Sequence, residues 1–276
     1  MKKKNEMDAV TDVRDFSLQF GNAQHIGARN NQEDAFGFSD ISPEAIATRG
    51  VFAVLSDGMG GLSGGRETAM ATVSAVLCAA KCHDFRHGFD GKITSVIEAI
   101  GKQVYEQYNL KSFQTGATLA VTYVYEDKLY FACVGDSRIY LVRGGAMTML
   151  NEDHDRLNQL LDEYIDGDRS FASAFEDRQK DNLASFIGAK KRKIDVSRKP
   201  LTLRVGDRVL LCSDGIYNSI SECEMLRLLA DRHAQASCDA IVETITAKAT
   251  PAQDNMTVML ISAVPCDSKN KKGKKR

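Results

Sequence analysis

Six carboxylates stand where the sequence changes character. Asp57 closes the apolar run of "VFAVLSDGMGG", and Asp214 follows "VLLC" in "VLLCSDGI". Asp136 lies between two apolar runs in "VGDSR", Asp254 precedes another in "QDNMTVMLI", and Glu33 and Asp34 are neighbours in "RNNQEDAF". Carboxylates gathered at strand ends repel one another unless cations join them. Oxygen donors without His or Cys suit Mg²⁺ or Mn²⁺ rather than zinc. Gly58 leaves its own carbonyl free to face the same site. Taken singly, each Asp beside a glycine is more simply a turn. One carboxylate per distant loop is instead the pattern of a site assembled by the fold.

Other uses of the glycines fit poorly. Gly60 and Gly65 have nucleotide-loop spacing, but Arg66 and Glu67 stand where Lys and Ser or Thr are required. Gly58-Met59-Gly60 opens a dinucleotide fingerprint that Ser63 breaks. Cys78, Cys82, His83 and His87 make a tempting zinc group, but their spacing is not that of a zinc loop. Packing at a helix end is the simpler reading.

The elements that must position the carboxylates follow from periodicity. "TLAVTYVYEDKLYFACVGDSRIYLVRGGAMTML" carries β-rich runs separated by short turns, which predicts an antiparallel meander. Ala69, Val73, Val76, Leu77 and Ala80 predict a helix over 67–82. A second stripe runs from Ile93 to Tyr108, with Thr94 as a possible local cap. Two more helices are predicted around Met225–Leu229 and Ile241–Ile245, the first opened by a capping box of Ser221 and Glu224. Strand runs with separate helix pairs give an α+β class. Residues 151–190 are polar with weak periodicity and read as a mobile surface insertion with short helices.

Bulk properties bound the partners. The chain has 276 residues with 43% hydrophobic and 26% charged content and a net charge of −1, ordinary for one globular core. No apolar stretch approaches the ~20 residues of a spanning helix, and "MKKKNEMDAV" has no apolar core to follow its lysines. The seven Cys lack framework spacing and read as reduced thiols in a cytoplasmic protein, with Cys133 and Cys212 in core strands. "KKRK" at 190–193 and the basic tail read as solvated charge, and no aromatic interleaving suggests nucleic acid.

The ordered set "RNNQEDAF", "VFAVLSDGMGG", "TGATLAV", "VGDSRIYLVRGG", "LNEDHD", "LRVGDRVLLCSDGIYNSIS" and "QDNMTVMLI" resembles the PP2C-type (PPM) metal-dependent Ser/Thr protein phosphatases, most of all the compact bacterial ones. The resemblance spans about Asn22 to Ala263. It implies a sandwich of two antiparallel sheets flanked by helices on both sides, over one domain at 1–265, with a flap-like insertion near 151–190 and a disordered basic tail at 266–276. It also implies hydrolysis of phosphoserine and phosphothreonine by a metal-activated water, with two Mn²⁺ or Mg²⁺ ions and a third beside them. Asp57 matches the bridging carboxylate, Gly58 the carbonyl ligand, Asp214 and Asp254 the remaining core carboxylates, and Asp136 the third-site residue. Glu33 and Asp34 match residues that hold metal-coordinated waters, Arg29 the phosphate-binding arginine, and Asn255 a loop support. Phosphoprotein substrates, a cognate Ser/Thr kinase pathway and a monomer are expected, with no membrane or nucleic-acid partner.

Several positions depart from that pattern. Met59 stands where many eukaryotic members have a histidine proposed as general acid, and Met cannot donate a proton. Gln32 replaces an Asn, Ile216 a Leu and Asp155 a Ser. His154 reads as a hydrogen-bonded loop residue that orders the base of the flap.

Overall fold

The computed structural model describes residues 12–13, 16–59, 64–108, 115–179, 182–230 and 232–266. The tail expected at 266–276 lies outside the described residues except for Cys266, as do Gly60 and Ser63 of the discarded nucleotide motifs. From the N-terminus the elements are β1 (Asp12–Val13), β2 (Phe16–His25), β3 (Ala35–Phe38), α1 (Pro43–Arg49), β4 (Val51–Ser56), β5 (Gly58–Met59), α2 (Gly65–Cys82) and α3 (Phe89–Gln107). Then come β6 (Gly116–Ala117), β7 (Leu119–Tyr125), β8 (Lys128–Val134), β9 (Arg138–Arg143), β10 (Ala146–Met149), α4 (Arg156–Ile165) and α5 (Phe171–Glu176). The last are β11 (Asp195–Val196), β12 (Leu201–Thr202), β13 (Arg208–Cys212), α6 (Asp214–Tyr217), α7 (Glu222–Leu229), α8 (Ala234–Ala247) and β14 (Met256–Pro265).

Two sheets face each other. One runs β1-β2-β14-β13-β9-β10; the other runs β11-β8-β7-β4-β3, with β12 also on β8. The paired strands of both are antiparallel. Alternate residues of β4 explain its unbroken apolar run. Val51, Ala53 and Leu55 enter the core between the sheets, whereas Phe52 and Val54 pack outward with Val76 of α2 and Ile93 and Ile97 of α3. In β13, Val209 and Leu211 likewise face inward, and Leu210 and Cys212 face outward with Ile241 and Ile245 of α8. Strands covered on both faces need apolar residues at every position. The outcome is helix, sheet, sheet, helix, the α+β sandwich that the resemblance implies.

The meander expectation needs correction. β7 and β8 do form a hairpin, but β9 pairs with β13 and β10 in the opposite sheet. Gly135, Asp136 and Ser137 therefore span the crossover from one sheet to the other. Alternation identifies strands but not the sheet each joins, because that depends on distant partners. The second helix begins at Phe89 behind Gly88, five residues before the suggested Thr94. The expected capping box is present: Ser221 Oγ accepts from the Glu224 amide, and the Glu224 carboxylate accepts from the Ser221 amide. Residues 151–190 hold the two short helices α4 and α5. The segment returns to the body through bridges that pair Leu183 with Asp155 and Ile187 with Ala117.

Candidate metal centre

Strand ends at one pole of the sandwich deliver the predicted residues to a single cleft of about 680 Å³. Arg29, Glu33, Asp57, Gly58, Asp136, Asp214 and Asp254 all line it, joined by Met59, Thr118 and Asn255. β4 ends into Asp57, β13 leads into Asp214 at the start of α6, and β14 starts two residues after Asp254. Register aligns these ends: Ala35 faces Ser56, Cys212 faces Val258, and Met256 faces His25. Asp34 lies beneath the cleft, 5% exposed. Its Oδ2 accepts from Ser213 Oγ at 2.9 Å and Thr257 Oγ1 at 2.6 Å. Its Oδ1 is buried and receives no protein donor.

Charge decides what this cluster can hold. Burial, and then Asp34, Asp214, Asp136 and Asp254, push the Asp57 carboxyl well above the usual range. Burial carries Asp34 up to about 6, against its hydroxyl donors, and Asp57 is within hydrogen-bonding reach of it. Asp136 is pushed up to about 7 by burial, then by Asp214 and Asp153. Asp214 is raised by burial and Asp254, while Asp57 and the Gly215 amide oppose the shift by hydrogen bonding. Glu33 is raised by burial and lowered in part by Arg29. Carboxyls this close must either share protons or share a cation. The donors are all oxygen and one buried oxygen of Asp34 lacks a partner, so the set fits hard divalent ions.

Backbone geometry supports the same use. A Cβ on Gly58 would run into the Gly65 carbonyl and lie 2.7 Å from that of Glu33, so only glycine fits this passage. Arg29 Nη2 donates to Asp254 Oδ2 at 2.7 Å across an exposed pair. Asn255 stitches the arginine loop to β14. Its Oδ1 accepts from the Glu33 amide at 2.8 Å, and its Nδ2 donates to the carbonyls of Ile26 at 2.8 Å and Asn31 at 3.0 Å. That is the loop support expected of it. Among the described residues, no three His, Cys, Asp or Glu side chains are already closed into a ligand set. With Asp254 turned to Arg29 and Asp34 to two hydroxyls, the carboxylates share the cleft rather than one point.

Several contributors were not singled out from sequence. Thr118 and Ser137 brace the loops of Asp57 and Asp136, and Ser213 and Thr257 hold Asp34. Ser137, Ser213 and Thr257 stand beside an acidic block, whereas Thr118 in "TGATLAV" has no acidic neighbour in sequence. Asn182 and Leu183, at the return of the insertion, also line the cleft. His154 is buried, accepts from the Gly135 amide at 3.2 Å through Nδ1, and offers its carbonyl to the amides of Ala184 and Ser185. It ties the base of the insertion, as expected of a structural histidine. Cys78 and Cys82 are exposed on α2 rather than packed, whereas Cys133 and Cys212 are core residues.

Comparisons with known proteins place the chain. The family model described as "Protein phosphatase 2C" matches residues 22–248. The serine/threonine phosphatase stp of Listeria innocua is 27% identical over 213 residues, covering 75% of this chain and 82% of that one. The solved serine/threonine phosphatase of S. agalactiae superposes with a TM-score of 0.74 at 25% identity, covering 89% of this chain and 99% of that chain. The catalytic domain of serine threonine protein phosphatase PstP, solved in complex with 2 manganese ions, gives a TM-score of 0.65 at 24% identity over 90% of this chain and 98% of that chain. No helix among the described residues is long and apolar enough to cross a membrane.

Proposed function

The chain belongs to the protein phosphatase 2C family, and from that premise we propose that its acidic cleft is the catalytic site of a Mn²⁺- or Mg²⁺-dependent protein Ser/Thr phosphatase. It removes phosphate from phosphoserine and phosphothreonine in protein substrates. The observation that carries this reading is the convergence of Asp57, Asp136, Asp214 and Asp254 from four separate segments onto one cleft. Asp57, Asp214 and Asp254, with the Gly58 carbonyl, would hold two core ions, and Asp136 with Asp214 a third. Divalent cations bound there supply an acidified water and offset charge on phosphoryl oxygens.

The chain's own residues do the rest. Arg29 gives Asp254 one of its five donors, and the others remain for phosphate oxygens at the cleft rim. Glu33 and Asp34 accept hydrogen bonds from water on the cleft floor and orient it. Asn255 keeps the arginine loop in register with Asp254. Met59 lines the cleft without a proton to give, so water or another group protonates the leaving oxygen. Direct attack by an activated water requires no covalent phosphoenzyme. We infer that the chain acts as a monomer opposing a Ser/Thr kinase.

Hydrolysis of a phosphothreonine peptide and of p-nitrophenyl phosphate tests this. Turnover should require Mn²⁺, vanish in EDTA and fall by about 10²-fold or more in Asp57→Asn. Turnover that persists in EDTA would refute the mechanism. A folded protein inert toward both substrates would make the cleft a binding site only.

A further inference from the structure

We propose that Thr118 and Ser137 form a hydroxyl clamp that sets the spacing of the Asp57 and Asp136 loops, and through it the cation affinity of the cleft. The inference rests on the reading of those two aspartates as cation ligands. Thr118 meets the Asp57 segment at three points. The Asp57 amide donates to Thr118 Oγ1 at 2.9 Å, the Thr118 amide donates to the Asp57 carbonyl at 2.8 Å, and Ser56 Oγ donates to the Thr118 carbonyl at 2.6 Å. The same Thr118 hydroxyl lies 2.7 Å from Ser137 Oγ, beside Asp136 in the crossover between the sheets. Both hydroxyls are shielded, at 3% and 1% residue exposure.

The methyl group of Thr118 closes the other side. Gly135 has φ +101°, and a Cβ there would come within 2.8 Å of Thr118 Cγ2. One side chain therefore touches both carboxylate loops, with a hydroxyl bridge on one flank and a close backbone approach on the other. Asp57 follows a strand of one sheet and Asp136 precedes a strand of the other. The clamp thus spans the sandwich at the place where the ions would bind. Two repelling carboxyls need such a fixed separation, because a ligand pair that spreads apart loses affinity before it loses fold. Groups that orient ligands without touching the metal typically change affinity by about 10–100-fold when removed. Thr118 and Ser137 act here as positioning residues.

Calorimetric titration of the metal-free full chain with Mn²⁺ tests the clamp, with thermal midpoints in EDTA to verify folding. Thr118→Val should bind Mn²⁺ about tenfold more weakly or worse, and Thr118→Ser should stay within about threefold of wild type. Ser137→Ala should also weaken binding, and Thr118→Val with Ser137→Ala should be no weaker than Thr118→Val alone, since both remove one shared bond. Wild-type affinity in a folded Thr118→Val protein would overturn the proposal. So would equal losses in Thr118→Val and Thr118→Ser, which would show that keeping the hydroxyl does not preserve the affinity. If Thr118→Val fails to fold, Ser137→Ala decides: a folded variant with wild-type affinity overturns the clamp. Asp57→Asn is the separate control. If it binds Mn²⁺ like wild type, the ligand assignment fails rather than the clamp.

Discussion

At the scale of single residues, the cleft is a set of acids that keep their protons to higher pH than isolated carboxyls do. Asp34 titrates at about 6 and Asp136 at about 7, with Asp57 and Asp214 also raised. A carboxyl whose titration point moves by one pH unit has its balance between the two protonation states altered by about 1.4 kcal/mol. A cation needs the deprotonated oxygens, so protons and metal compete. Mn²⁺ affinity should therefore fall as pH drops from 8 to 6, and proton release per bound ion should be larger at pH 6 than at pH 8. Titration calorimetry in buffers of different ionisation enthalpy reads both. An affinity independent of pH across that window would mean that these carboxyls do not ligate. The identities of the acids were legible in the sequence, since each punctuates an apolar run. Thr118, Ser137, Ser213 and Thr257 were not, because a hydroxyl acquires its role from a partner many residues away.

At the scale of elements, two local features should separate stability from chemistry. Gly135→Ala forces a side chain into positive φ and against Thr118, and should cost about 1–3 kcal/mol. It should also weaken Mn²⁺ binding, because the strained turn carries Asp136. Ser221→Ala breaks the capping box of α7 and should cost about 0.5–2 kcal/mol while leaving kcat/KM unchanged. Chemical denaturation beside steady-state kinetics distinguishes the two; equal effects on activity would contradict the assignment. Most elements could be read from pattern: β4 and β13 from continuous apolar runs, α2 and α8 from helical stripes, α7 from its cap. The crossover after β8 could not. "GDSR" has the composition of a hairpin turn, and only the pairing of β9 with β13, about 70 residues later, makes it a bridge between sheets. The early start of α3 behind Gly88 was equally hidden, since no side chain caps it.

For the whole molecule, the sandwich core and the cleft pull in opposite directions. Large buried side chains such as Phe20, Leu55, Ile139 and Leu211 hold the sheets together, each contributing about 1.5–3 kcal/mol. The raised carboxyls oppose them. The folded chain binds protons there that the unfolded chain has already released, so this contribution is most favourable below the ordinary carboxylate range. It is lost as pH rises through about 6 for Asp34 and about 7 for Asp136. In EDTA the thermal midpoint should therefore fall between pH 5 and pH 7.5. Mn²⁺ at a hundredfold excess over its Kd should return about 2.7 kcal/mol at the higher pH, or roughly 5–10 °C at this chain length. Differential scanning fluorimetry checks both, and a midpoint that rises with pH in EDTA would contradict the sign. The pairing of β2 with β14 has a practical corollary. Phe16 lies opposite Pro265, while His25 lies opposite Met256 beside the cleft. Ten paired residues at about 3.4 Å each put the Phe16 end of the ribbon roughly 30 Å from the cleft. A dye carried at the Phe16 end of the ribbon would sit on the far side, leaving the mouth open to bulky clients.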